Sequence, residues 1–175
     1  AEIEIAREMD HDQIALLGGV QGPLTTLWLL MGYENISLTL YDDPGLIAEL
    51  CALSNEFFKE AARRSVEAGC VGIWVSEDLG DSTRGFFRQE HYREHLLPPF
   101  VELVDYVDGI GVPILLHSCG RITDYLEDLA QTKIAAVHPL QRTAGMDLRE
   151  VKETYGDRFC IIGNIDSSRP LPYGT

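Results

Sequence analysis

Short apolar runs alternate with longer amphipathic stretches along most of this chain, and that alternation limits the fold more than any other feature. A short continuous apolar run suits a strand covered on both faces, and apolar residues at spacings of three and four give a helix with one buried side. Repeated βα units of this kind build parallel sheets. Strands are expected over residues 14–20, 71–75, 113–119, 134–137 and 159–165. Between the first two, Gly22-Pro23 breaks the run, and a short helix over 24–31 ends at Gly32 before a connecting stretch. Asp43 is a plausible N-cap and Pro44 a first-turn residue for the strongest helical pattern, in which Leu46, Leu50, Leu53, Phe57 and Ala61 form a stripe opposite Glu49, Glu56, Lys59 and Glu60. Gly69 closes that helix. Further helices are expected over 88–108, bent or split by Pro98-Pro99, over 122–131 and over 148–155.

This pattern fits one domain, 1–175, with no linker or close repeat. It suits either an open doubly wound sheet or part of an eight-fold barrel. No GxGxxG or Walker A stretch follows any strand, which weakens the nucleotide-binding open sheet and favours a parallel (β/α)8 barrel with about five βα units present.

A length of 175 residues and 45% hydrophobic content allow a substantial core. The formal net charge of -14, uninterrupted by any basic cluster, repels phosphate backbones and anionic lipid surfaces, so nucleic acid and membrane partners are not expected. No apolar run approaches the roughly 20 residues of a bilayer span, the opening segment is too charged for a signal peptide, and the cytoplasm is the expected compartment. Cys51, Cys70, Cys119 and Cys160 form no CxxC pair and are expected to be reduced. The chain lacks an initiator methionine and opens within a charged segment, so a piece of a longer protein is expected.

Chemistry in parallel α/β folds collects where strands end and βα loops begin. The expected strand ends carry Glu77 and Asp78, His117 and Cys119, His138 and Gln141, and Asn164 and Asp166. Residues two apart on a strand share a face, so His117 and Cys119 could reach one zinc ion at about 2.0–2.1 Å and 2.3 Å. Two ligands do not make a site, and spacing alone fits a hydrogen-bonded histidine beside a packed thiol equally well. Cys160 lies at the wrong end of its strand, and it, Cys51 and Cys70 are expected to be small buried hydrophobes. Glu77 and Asp78 suit a general acid/base pair, a metal ligand or the cap of the next helix. Gln141, Asn164 and Asp166 are candidates for substrate binding, although Asn and Asp are also ordinary turn formers. His138-Pro139 is expected to be a turn, and His11, His91 and His95 to be solvated.

The order and spacing of Gly22-Pro23, Met31-Gly32, Tyr41-Asp-Asp-Pro44, Glu77-Asp-Leu-Gly80, His117-Ser-Cys-Gly120, Tyr155-Gly156, Gly163-Asn-Ile-Asp166 and Leu171-Pro-Tyr-Gly-Thr175 resemble the uroporphyrinogen decarboxylase family across nearly the whole chain. The resemblance implies a (β/α)8 barrel. Its His-x-Cys motif is closest to the family's zinc methyltransferases, which pass a methyl group from a corrinoid to a thiol. By that resemblance His117 and Cys119 are zinc ligands, a third cysteine is expected after Thr175, and Glu77 is a further ligand or base. Implied cofactors are zinc and a corrinoid (cobalamin) methyl donor carried by a partner protein, with a small-molecule thiol as acceptor. The alternatives are a decarboxylase (a lyase) of porphyrin biosynthesis and a non-catalytic corrinoid-binding or scaffolding relative. Five strands leave sheet edges unpaired, so this length is expected to be inactive alone and to pair with another chain, a homo-oligomer included.

Overall fold

A computed structural model describes residues 14–174; His11 and the charged opening segment lie outside them. Among the described residues five strands, β1 (Leu17–Gln21), β2 (Gly72–Ser76), β3 (Ile114–His117), β4 (Ala136–His138) and β5 (Cys160–Ile161), form one sheet. Every neighbouring pair is parallel, and the spatial order β1-β2-β3-β4-β5 is the chain order. A doubly wound sheet reverses its strand order at a switch point, whereas a barrel adds each strand on the same side of the last. No reversal occurs here, which decides for the barrel arrangement over the open sheet.

Besides the short helix Gln89–His91, the α-helices among the described residues are α1 (Pro23–Asp42), α2 (Pro44–Glu67), α3 (Leu97–Gly109), α4 (Leu126–Leu129), α5 (Leu148–Tyr155) and α6 (Pro170–Tyr173). Gly32, at φ 76° and ψ 158°, leaves the helical path and ends the first helix as expected, so α1 is two helical segments joined across a kink. Helix resumes beyond it, with Ile36 and Leu40 buried four residues apart, so the expected connecting stretch is mostly helical.

The Asp43 carboxylate accepts the Leu46 N–H at 3.1 Å and so caps α2 as expected. Its buried side differs from the expected stripe: Ile47, Cys51, Ser54, Asn55 and Ala62 face inward, while Leu53 and Phe57 are 64% and 68% exposed. Apolar residues occur on two sides of this helix, so spacing alone cannot select the face that packs. The inward side carries Asn55, whose side-chain N–H donates to the Pro99 carbonyl at 2.8 Å and ties α2 to α3.

Upstream of α3, helix Gln89–His91 widens into a π-helical turn over Tyr92–Leu96 before Leu97 restarts the α-helix. Pro98-Pro99 therefore splits the expected segment, with the prolines in a first turn where a missing N–H costs little. The expected helix over 122–131 is a 3-10 turn, Thr123–Tyr125, followed by the single turn α4. β5 is shorter than expected because Gly163 and Asn164 take left-handed φ values of 113° and 67°.

Alternate strand residues point to opposite faces. Ile73, Val75, Ile114 and Leu116 are fully buried in one core with Phe100, Leu103, Val104 and Val107 of α3. On the other face, Trp74, Leu115, Ala136 and Cys160 align across the sheet, and Gln21, Ser76, His117 and His138 form the next row toward the strand ends. Cys160 sits on that open face and is exposed, unlike the expected buried hydrophobe, whereas Cys51 and Cys70 are buried. No helix among the described residues is long and apolar enough to cross a membrane.

Candidate metal centre

At the C-terminal ends of β2 and β3, Asp78, His117 and Cys119 each offer one ligand atom, and these atoms lie within 4.8 Å of one another. His117 is the last residue of β3, so the strand delivers its ring directly. Cys119 lies beyond the strand and is delivered by the loop. Its backbone N–H donates to Asp78 Oδ1 at 2.9 Å, and Gly120, at φ 77°, turns the chain so tightly that a Cβ there would collide with the Gly80 carbonyl. The Gly120 N–H donates to Gln141 Oε1 at 2.8 Å, and the Arg121 N–H to the Asp81 carbonyl at 2.6 Å. The loops after β2, β3 and β4 are thereby tied together. Asp78 is fixed from the other side, where its backbone N–H donates to Thr25 Oγ1 at 2.9 Å.

Burial, and then the neighbouring Asp78 carboxylate, push the Cys119 thiol up to about 11. A thiol beside an anion resists ionisation, and a cation shared by the two reverses that preference. His117 Nε2 lies 3.7 Å from Asp78 Oδ1, and His117 Nδ1 lies 2.9 Å from Nδ1 of His138. His138 is therefore more than a turn residue. Burial, then the adjacent His117, lower its pKa below the ordinary imidazole value. The Trp74 ring lies against both imidazoles, with centroids 5.7 Å from His117 and 4.9 Å from His138.

Glu77 occupies a different environment from its neighbour. It is 1% exposed, and its two carboxylate oxygens accept the N–H groups of Leu24 and Thr25 at 3.0 and 2.9 Å, which caps the start of α1. Burial raises its pKa to about 7 against the lowering effect of those hydrogen bonds. Its carboxylate is not in the ligand group that Asp78 joins. Gln141 spends its oxygen on Gly120 and donates its side-chain N–H to Thr143 at 2.9 Å. The Asn164 side chain donates to the carbonyls of Leu140 and Met146 at 2.6 and 2.9 Å, and Asp166 accepts from the Ser168 N–H and hydroxyl in a local turn. These three residues shape loops at the mouth.

His91 and His95 are half-buried, contrary to the solvated expectation. The hydroxyl of Tyr41 is 2.8 Å from His91 Nε2. Two residues near the cluster carried no sequence signal. Tyr33 stacks on Phe86 with centroids 4.0 Å apart, and burial followed by the charges of Asp78, Glu77 and Cys119 holds its phenol above the ordinary range. Gln21 Oε1 is buried with no hydrogen-bond partner among the described residues. Their roles come from the Gly32 break and from sheet register, neither of which local periodicity reveals. His138 was visible at a strand end, and its register partner His117 was the signal that could have promoted it.

A parallel sheet wound in chain order, with an imidazole, a thiol and a carboxylate gathered where its strands end, defines the class: a (β/α)8-type barrel protein with a mouth suited to a metal ion. The chain belongs to the uroporphyrinogen decarboxylase family, whose model, "Uroporphyrinogen decarboxylase (URO-D)", matches residues 1–174. The methylcobamide:CoM methyltransferase MtaA of Methanosarcina barkeri is 24% identical over 165 residues, covering 94% of this chain and 47% of that protein. A uroporphyrinogen decarboxylase of Chlorobium luteolum is 27% identical, covering 99% and 49%. The solved structure of a methyltransferase from Methanosarcina mazei superposes with a TM-score of 0.80 at 21% identity, covering 99% of this chain and 49% of that one. The chain spans about half the length of the curated relatives it matches.

Proposed function

We propose that this chain carries the metal-binding part of a zinc-dependent methyltransferase that moves a methyl group from a methylated corrinoid, held by a partner protein, to a thiol acceptor. The observation that carries the reading is the convergence of Asp78, His117 and Cys119, whose candidate ligand atoms lie within 4.8 Å of one another. The donor set fits zinc: one imidazole nitrogen, one thiolate and one carboxylate oxygen give three protein ligands and leave a position open. Zinc, when bound, supplies Lewis acidity that keeps a coordinated thiol ionised at neutral pH. The residues hold and aim that position. Cys119 is anchored by Asp78 and Gly120 by Gln141, so the ligand loop is set before substrate arrives. In the transfer itself, the new carbon–sulfur bond forms from the acceptor's lone pair, and both electrons of the carbon–cobalt bond stay with the donor.

Support also comes from the methylcobamide:CoM methyltransferases among the relatives, at 23–24% identity. A second reading, decarboxylation of a porphyrinogen, draws on the uroporphyrinogen decarboxylase relatives at 26–29% identity. The test adds methylcobalamin and coenzyme M to zinc-loaded protein and follows the methyl–cobalt absorbance together with methylated thiol. Zinc-dependent loss of the band with product formation supports methyl transfer. Release of carbon dioxide from uroporphyrinogen by metal-free protein, with the methyl–cobalt band unchanged, favours the second reading.

A further inference from the structure

Resting on the metal-centre reading, we propose that His138 is a positioning residue that fixes the tautomer and aim of His117. The two Nδ1 atoms face each other at 2.9 Å, so one must donate and the other accept. If His138 donated, a neutral His117 would carry its proton on Nε2, facing the Asp78 carboxylate. Such an N–H would close to about 2.9 Å, and the observed 3.7 Å separation lies outside hydrogen-bond range. If His117 donates, its Nε2, 3.7 Å from Asp78 Oδ1, keeps a free lone pair, which is the form that binds a metal. A ligating histidine is commonly oriented by an acceptor on its other nitrogen. Here that acceptor is a second imidazole.

The surrounding structure holds the acceptor in place. His117 and His138 are register partners on adjacent parallel strands, and the Ser118 N–H donates to the His138 carbonyl at 2.8 Å. The Trp74 ring lies against both imidazoles and limits their rotation. His138 is absent from the ligand cluster itself, so its effect is exerted through His117.

The direct test is long-range nitrogen–proton NMR of the chain at pH 8, above the ordinary imidazole range. The proposal predicts the proton on Nδ1 of His117 and on Nε2 of His138, with and without zinc; His117 protonated on Nε2 overturns it. A second test measures zinc affinity by chelator competition and the visible spectrum of the cobalt-substituted chain. His138→Leu should weaken zinc binding by about 10- to 100-fold and alter the cobalt bands. His138→Asn, which offers an acceptor oxygen near the original Nδ1, should recover most of both. Unchanged affinity in the leucine variant, or no recovery in the asparagine variant, overturns the proposal. Failure of the wild-type chain to take up metal would instead count against the metal-centre reading, because the tautomer measurement stands without metal.

Discussion

Glu77→Gln should remove one defined part of the chain's pH-dependent stability. Glu77 is fully buried, and its pKa rises from 4.5 to about 7 on folding, with burial as the main cause. A carboxyl whose pKa is raised by folding contributes stability that is whole below pH ~4.5 and is lost as pH climbs through ~7. The full difference is worth roughly 3 kcal/mol. A minor share of it is already gone at pH 5 and nearly all by pH 8, leaving roughly 2–3 kcal/mol between those two values. Glutamine keeps one oxygen for the N–H of Leu24 or Thr25 and turns an NH2 group toward the other, a cost present at both pH values. Urea unfolding of both metal-free proteins at pH 5, 6, 7 and 8 isolates the effect. The stability of wild type relative to the variant should fall by roughly 2–3 kcal/mol from pH 5 to pH 8. A difference that stays constant, or that moves toward wild type as pH rises, refutes the reasoning.

Gly22→Ala should destabilise the chain by about 1–3 kcal/mol in the same assay, because the added Cβ would overlap the Glu77 carboxyl. Asn164→Ala loses two hydrogen bonds to the Leu140 and Met146 carbonyls and places a Cβ-bearing residue without a polar side chain at φ 67°, so its melting temperature should fall; Asn164→Gly, relieved of the strain, should fall less. Thiol labelling of the metal-free chain at pH 8 should modify exposed Cys160 first. Cys119, pushed up to about 11, and buried Cys51, pushed up to about 12, should react at least ~10-fold more slowly.

The succession of strands and helices and the clustering of polar residues at strand ends were legible because both follow from alternation. The strand order in the sheet was not, because alternation fits an open sheet as well as a barrel. Helix faces were less legible. In α2 the exposed Leu53 and Phe57 compete with Ile47 and Cys51, and only packing against α3 and β1 decides between them. Gly32 was legible as a stop and does break α1, but the second helical segment beyond it, where Ile36 and Leu40 are buried, was not legible from local pattern. The approach of Cys119 to His117 was anticipated for a different reason from the one observed. Strand pleating suggested a shared face, but β3 ends at His117, and a glycine turn with an aspartate anchor brings the thiol in. Asp78 was legible as a strand-end acid, while the separation of its role from that of Glu77 depends on which of the two points into the α1 N-terminus. The partnership of His117 with His138 needed the β3–β4 register, which no spacing along the chain contains.

Zinc content of the loaded and desalted chain tests the central claim most directly. The account predicts about one zinc per chain in the wild type, with loss of bound metal in His117→Ala and Cys119→Ser and weaker binding in Asp78→Asn, all three with wild-type circular dichroism. Full zinc occupancy retained in both His117→Ala and Cys119→Ser would contradict it.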